Sequence, residues 1–134
     1  SDVSFKLGEF TLARAGGGTV MTTWTGTFAY MAPEVMDDEC YSYPTDIFAS
    51  GVLLHEIASQ KQPYDGSTNP RMMVKVIRGL RPDAAVVPEF DGRPAKRRNE
   101  FLTLLNLCWH ADPEERPTAH QTSAILNGLI LRED

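Results

Sequence analysis

Nowhere in these 134 residues is there an apolar run of the roughly 18 residues a membrane-spanning helix requires. No basic-then-apolar leader opens the chain either, so neither a bilayer span nor a signal peptide is expected. Cysteine is scarce. Cys40 and Cys108 are too few for a disulfide framework, and neither has a metal-ligand partner at a fixed spacing, which points to a reducing, intracellular compartment, the cytoplasm. Positive charge is also short. Thirteen Lys and Arg against 18 Asp and Glu leave a formal net charge of −5, which argues against nucleic acid or an anionic membrane as partner. The three histidines, His55, His110 and His120, share no metal-ligand or triad spacing, so ordinary core or surface roles are expected for them. What remains is a chain with 42% hydrophobic and 9% aromatic residues, enough for one domain with a core.

Val3, Phe5 and Leu7 alternate with polar residues and predict a short half-buried strand that Gly8 ends. Residues 9 to 25 lose periodicity; Gly16-Gly17-Gly18 and the threonines at 19, 22, 23 and 25 read as a mobile loop. From 45 to 59, Ile47, Phe48, Val52, Leu53, Leu54 and Ile57 cover nearly every side of a helical wheel and predict a helix buried all round. Pro70 is suited to open a second helix, striped by Met72, Met73, Val76 and Ile77 and stopped by Gly79. Residues 80 to 97 hold three prolines and a glycine and predict no long element, and their Arg93, Lys96, Arg97 and Arg98 read as a solvated run leading into a helix. Phe101, Leu102, Leu104, Leu105, Cys108 and Trp109 repeat at three and four, giving a third helix. Thr118 and Gln121 form the capping box of a fourth, whose buried face is Ile125, Leu126, Leu129 and Ile130.

The run Gly26-Thr27-Phe28-Ala29-Tyr30-Met31-Ala32-Pro33-Glu34 resembles the end of a protein kinase activation segment. Two further stretches, Asp46 to Gly51 and Cys108 to Thr118, follow in that family's order, and Asp112 to Thr118 is most similar to the tyrosine-kinase-like branch. The resemblance covers the whole chain but only the last half of the family's domain. It implies a mainly α fold: a partial kinase C-terminal lobe with helix F to I equivalents, a short N-terminal strand, an activation segment at about 9–34 and a helical part at about 45–131, in one partial domain over 1–134.

Residue roles follow from the resemblance. Lys6 to Arg14 looks like the strand and metal-binding turn that opens the segment, with Glu9 where the family has its magnesium-binding aspartate and Thr11 where it has glycine. Glu9 keeps two readings, a displaced metal ligand or a solvated turn carboxylate, because one extra methylene moves the oxygens and magnesium demands near-octahedral geometry. Thr22, Thr23 and Thr25, with Thr19 behind them, are the phosphorylation candidates. Thr27 and Tyr30 are implied to face a protein substrate, with a segment of serine/threonine type. Glu34 and Arg116 are implied to form a buried ion pair, for which a bidentate guanidinium is suited. Asp46 is implied to receive the catalytic-loop backbone in the family, or to cap its own helix in this chain. Trp109 is expected in the core.

The resemblance implies ATP and Mg2+ for a complete domain and protein substrates as partners. A working kinase also needs a glycine-rich nucleotide loop, a strand lysine paired with a helix glutamate, and a catalytic loop. None of these stands in residues 1–134. Taken alone, the chain is expected to bind no cofactor and to be inactive. Two expectations follow: the C-terminal half of a Ser/Thr kinase, or a non-catalytic, pseudokinase-like module that binds proteins through residues 70–78 and the segment. A lobe of this kind is also expected to leave part of the 45–59 helix uncovered.

Overall fold

Ser42 breaks from extended backbone into helix, and its N–H reaches Thr45 Oγ1 at 3.2 Å, the returning half of a capping box. Pro44 sits in the first turn, where a missing N–H costs nothing. This start governs the computed structural model, which describes residues 3–8, 19–20, 28–38, 40–67, 69–90, 92 and 95–132. Five helices follow one another: α1 (Pro33–Asp38), α2 (Tyr43–Ser59), α3 (Pro70–Ile77), α4 (Ala95–Cys108) and α5 (Ala119–Leu131). Two-residue strands β1 (Thr19–Val20) and β2 (Cys40–Tyr41) pair antiparallel, Thr19 opposite Tyr41. Short 3-10 turns at Phe28–Tyr30, Pro63–Gly66, Ala84–Val86 and Pro113–Glu115 link the elements. The fold is mainly α, as the helical periodicities predict.

The core gathers on α2. Phe48 and Val52 are fully enclosed and meet Ala32 and Val35 from the α1 side, Val76 from α3, and Leu105 and Trp109 from the α4 side. Close approach of α2 and α4 rests on a glycine. A Cβ placed on Gly51 would lie 2.7 Å from Cys108 Cβ, closer than two carbons can sit. Helix α5 lies on α4, opened by the capping box of Thr118 and Gln121, whose two hydrogen bonds measure 3.1 and 2.9 Å. Gly79, at φ +108°, ends α3: its N–H bonds Val76 O and that of Leu80 bonds Lys75 O, the paired bonds of a Schellman motif.

The structure corrects three expectations. Val3 to Gly8 is irregular, with Phe5 and Leu7 almost fully exposed, since an alternating pattern makes a strand only where a neighbouring strand completes its ladder. Helix α2 is not buried all round, contrary to what its periodicity alone predicts, but leaves open the face that a partial lobe is expected to leave uncovered. Asp46, Leu53 and Ile57 share one outer face, and Leu53 and Ile57 are 48% and 58% exposed because the described elements pack on the opposite side. Within the basic run, Arg97 is buried and not solvated: its guanidinium bonds the carbonyls of Leu129 and Arg132, closing the C-terminal end of α5. Arg98 reaches back to Val87 O and Ala84 O at 2.8 and 3.1 Å and pins the proline-rich connection.

Candidate functional site

Pro33 and Glu34 open α1, and the first turn of a helix favours a carboxylate. Glu34 does not face solvent. Arg116, 82 residues on, donates Nη1 to Glu34 Oε1 at 2.6 Å and Nη2 to Oε2 at 2.8 Å, a bidentate clamp. The Arg116 side chain is wholly enclosed, while that of Glu34 is partly buried, at 18% exposure. Two more of the arginine's donors are engaged: Nε bonds His110 O at 2.9 Å and Nη1 also bonds Pro44 O at 3.0 Å. Thr45 Oγ1 donates to Glu34 Oε1 at 3.3 Å. Burial raises the Glu34 pKa, but the hydrogen bonds from Arg116, its own backbone and Thr45, together with the Arg116 charge, outweigh it and hold the carboxyl below its ordinary value. One clamp thus fastens the start of α1 to the start of α2 and to the linker that precedes α5.

Upstream of the clamp, Phe28–Tyr30 forms a 3-10 turn and Ala32 is fully buried. Tyr30 turns its hydroxyl to Glu56 Oε2 on α2. That hydrogen bond, with burial and the Glu56 charge adding to it, pushes the phenol up to about 12. The Tyr30 hydroxyl is therefore engaged within the protein. Glu9, Thr11, Thr22, Thr23, Thr25 and Thr27 lie outside the described residues, and Thr19 is described only by its backbone pairing with Tyr41.

The match of sequence to a protein kinase domain model runs over residues 1–125. The chain belongs to the protein kinase family. Among curated proteins it is 33% identical over 127 residues to serine/threonine-protein kinase STY17 of Arabidopsis thaliana, covering 93% of this chain and 21% of that protein. It is 27% identical over 128 residues to a putative serine/threonine-protein kinase/receptor, R818, of Acanthamoeba polyphaga mimivirus, covering 96% of this chain and 7% of that protein. Tyrosine-protein kinase Srms of Mus musculus is 32% identical over 141 residues, covering 98% and 25%. The kinase chain described here spans a quarter or less of the length of each of these three relatives.

Around the kinase clamp stand one residue that sequence reasoning passed over, Arg81, and several whose contacts it did not foresee. Phe48 lies under two guanidinium groups, Arg81 at 5.0 Å and Arg116 at 5.1 Å from its ring centroid. Arg81 bonds Trp109 O at 2.8 Å through Nε, and Val76 O and Leu80 O at 3.0 and 2.8 Å through Nη1. It follows Gly79-Leu80 in a stretch without periodicity, so nothing local marks it. Trp109 is buried in the core, its Nε1 bonded to Asn106 at 3.1 Å. His55 is buried beside Trp109 and bonds Asp83 O at 2.7 Å through Nε2; a carbonyl needs a donor there, so Nε2 carries the proton. The cap of α2 is Ser42 and not Asp46. Because the helix starts at Tyr43, Asp46 is its fourth residue, exposed at the end of the first turn, and its carbonyl accepts from Ser50 Oγ at 2.7 Å. Cys108 is buried, and burial raises its thiol pKa against a weaker opposing hydrogen bond from Thr122, which disfavours the thiolate.

The kinase family implies magnesium and ATP for a complete domain. Among the described residues no three His, Cys, Asp or Glu side chains come close enough to hold a metal ion. No helix among the described residues is long and apolar enough to cross a membrane. A groove of about 470 Å³ lies between α4 and α5, lined by Leu104, Leu107, Ile125 and Leu129 with Glu100 and Arg132 among them; no clamp residue lines it.

Proposed function

We propose that this chain is the substrate-facing half of a serine/threonine protein kinase, which in complete form moves the γ-phosphate of ATP to a Ser or Thr hydroxyl of a protein. The observation that carries the reading is the bidentate clamp between Glu34 and Arg116, which holds the end of the Gly26 to Glu34 segment against the helical body. Catalysis of phosphoryl transfer is mostly positioning and charge stabilisation, so a rigidly anchored segment is a functional part of such an enzyme. In this reading Thr27 faces the acceptor and Tyr30 shapes its surroundings through its ring, since its hydroxyl is bonded to Glu56. The threonines at 19, 22, 23 and 25 are the candidate sites of activating phosphorylation. Glu9 holds magnesium only if the metal tolerates a longer carboxylate; the nucleotide-binding parts are supplied by sequence other than residues 1–134. By itself the chain transfers no phosphate and gains no stability from Mg2+ and ATP.

A second reading is a non-catalytic kinase-like module that binds proteins. Glu9 and Thr11, in place of the family's aspartate and glycine, favour it. The test is transfer from labelled ATP by the full gene product to peptides carrying Ser, Thr or Tyr. The kinase reading expects label on Ser and Thr peptides, and a large loss of kcat in Thr27→Ala with the melting temperature kept. Absence of transfer from a folded full gene product sinks it in favour of the second reading, and label on Tyr peptides alone sinks the hydroxyl assignment.

A further inference from the structure

Helix α3 packs inward through Val76, fully buried, and through half-buried Met72 and Met73, so its other side is turned out. That outer side is divided lengthwise. At 100° per residue, Ile77, Pro70 and Val74 fall together on one half, and Arg78, Arg71 and Lys75 on the other. Val74 and Ile77 are 47% and 40% exposed, and Leu80, just beyond the helix, is 38% exposed. The three cations are spaced three and four residues apart, one helical turn, and none pairs with an acidic side chain among the described residues. Both ends are fixed, by Asn69 Oδ1 accepting from the Arg71 N–H at 2.9 Å and by the Gly79 motif, so the face is a rigid platform.

We propose that this face of α3 docks an acidic amphipathic segment of a protein partner, with apolar side chains laid on Val74, Ile77 and Leu80 and carboxylates one turn apart set against Arg71, Lys75 and Arg78. Charge complementarity selects the occupant. Three cations along a helix of about 12 Å match a row of carboxylates of the same length, as on one flank of a short acidic helix. Docking here needs neither nucleotide nor metal and stands apart from phosphoryl transfer.

The test is fluorescence anisotropy of the full chain with a labelled synthetic helix that carries leucines at three- and four-residue spacing and glutamates along one flank. The proposal expects saturable binding that weakens with salt, weakens about tenfold or more in Arg71→Glu/Lys75→Glu, and weakens likewise in Val74→Ser/Ile77→Ser. All four positions are exposed, and matching melting curves verify that the variants fold. It further expects the charge-reversed variant to prefer the same peptide with lysine in place of glutamate. No binding of the glutamate peptide overturns the proposal, as does equal binding by the variants. Association with phosphatidylserine vesicles in place of the peptide also overturns it, in favour of a membrane.

Discussion

Arg116 has no water to fall back on, and this decides what losing its partner does. Removing Glu34 leaves an enclosed guanidinium with two carbonyls, the Phe48 face and a second cation, Arg81, on the same ring. Breaking a buried pair on one side typically costs about 3 to 5 kcal/mol, and the slight exposure of Glu34 places Glu34→Ala at about 3. Chemical denaturation of the variant measures it. Arg116→Lys is expected to be poorly tolerated too, because an ammonium cannot serve both carboxylate oxygens, His110 O and Pro44 O. The clamp has a pH signature. A carboxyl whose folded pKa lies below its ordinary 4.5 contributes stability in full above that value and loses it as pH falls through the folded pKa. Stability of the parent chain should therefore drop below about pH 4.5, and that component of the drop should vanish in Glu34→Gln.

At the scale of elements, local signals in the sequence worked where they act locally. Pro70 and Gly79 bound α3, and Thr118 with Gln121 opens α5, because proline, a positive φ and a capping box each constrain one turn. They failed where the outcome is set by distant chain. Val3 to Leu7 has the alternation of a strand and, among the described residues, no ladder to join. Helix α2 has apolar residues on all sides, yet the described elements cover only one. Arg97 sits in a run of cations and closes a helix more than thirty residues away. Gly51 read as part of a motif; its structural task is the contact with Cys108. Gly51→Val is expected to push α2 and α4 apart and to destabilise by about 3 kcal/mol or more, since two backbones and not a flexible side chain must yield. A thermal melt of the variant checks this, with Thr103→Ala on the exposed side of α4 as the neutral control.

Across the whole molecule, family and helical architecture were legible before any coordinates, because Gly26 to Glu34, Asp46 to Gly51 and Cys108 to Thr118 occur in kinase order. The clamp between Glu34 and Arg116 was legible only through that resemblance: no local pattern joins residues 82 apart. Phe48 was legible as a buried residue of α2 but not as the ring beneath Arg81 and Arg116, and Glu56 and Arg81 were not legible, packing having brought the one to Tyr30 and the other to Phe48. What results is a helical body on α2 to which the end of the segment is welded by one ion pair. Native-state hydrogen exchange tests that most directly. The amides of Val35 and Met36, bonded to Ala32 O, should open in the parent chain with the same free energy as amides in the middle of α2, and should lose protection selectively in Glu34→Gln. Rapid exchange of Val35 and Met36 in the parent chain, beside a protected α2, would contradict the account.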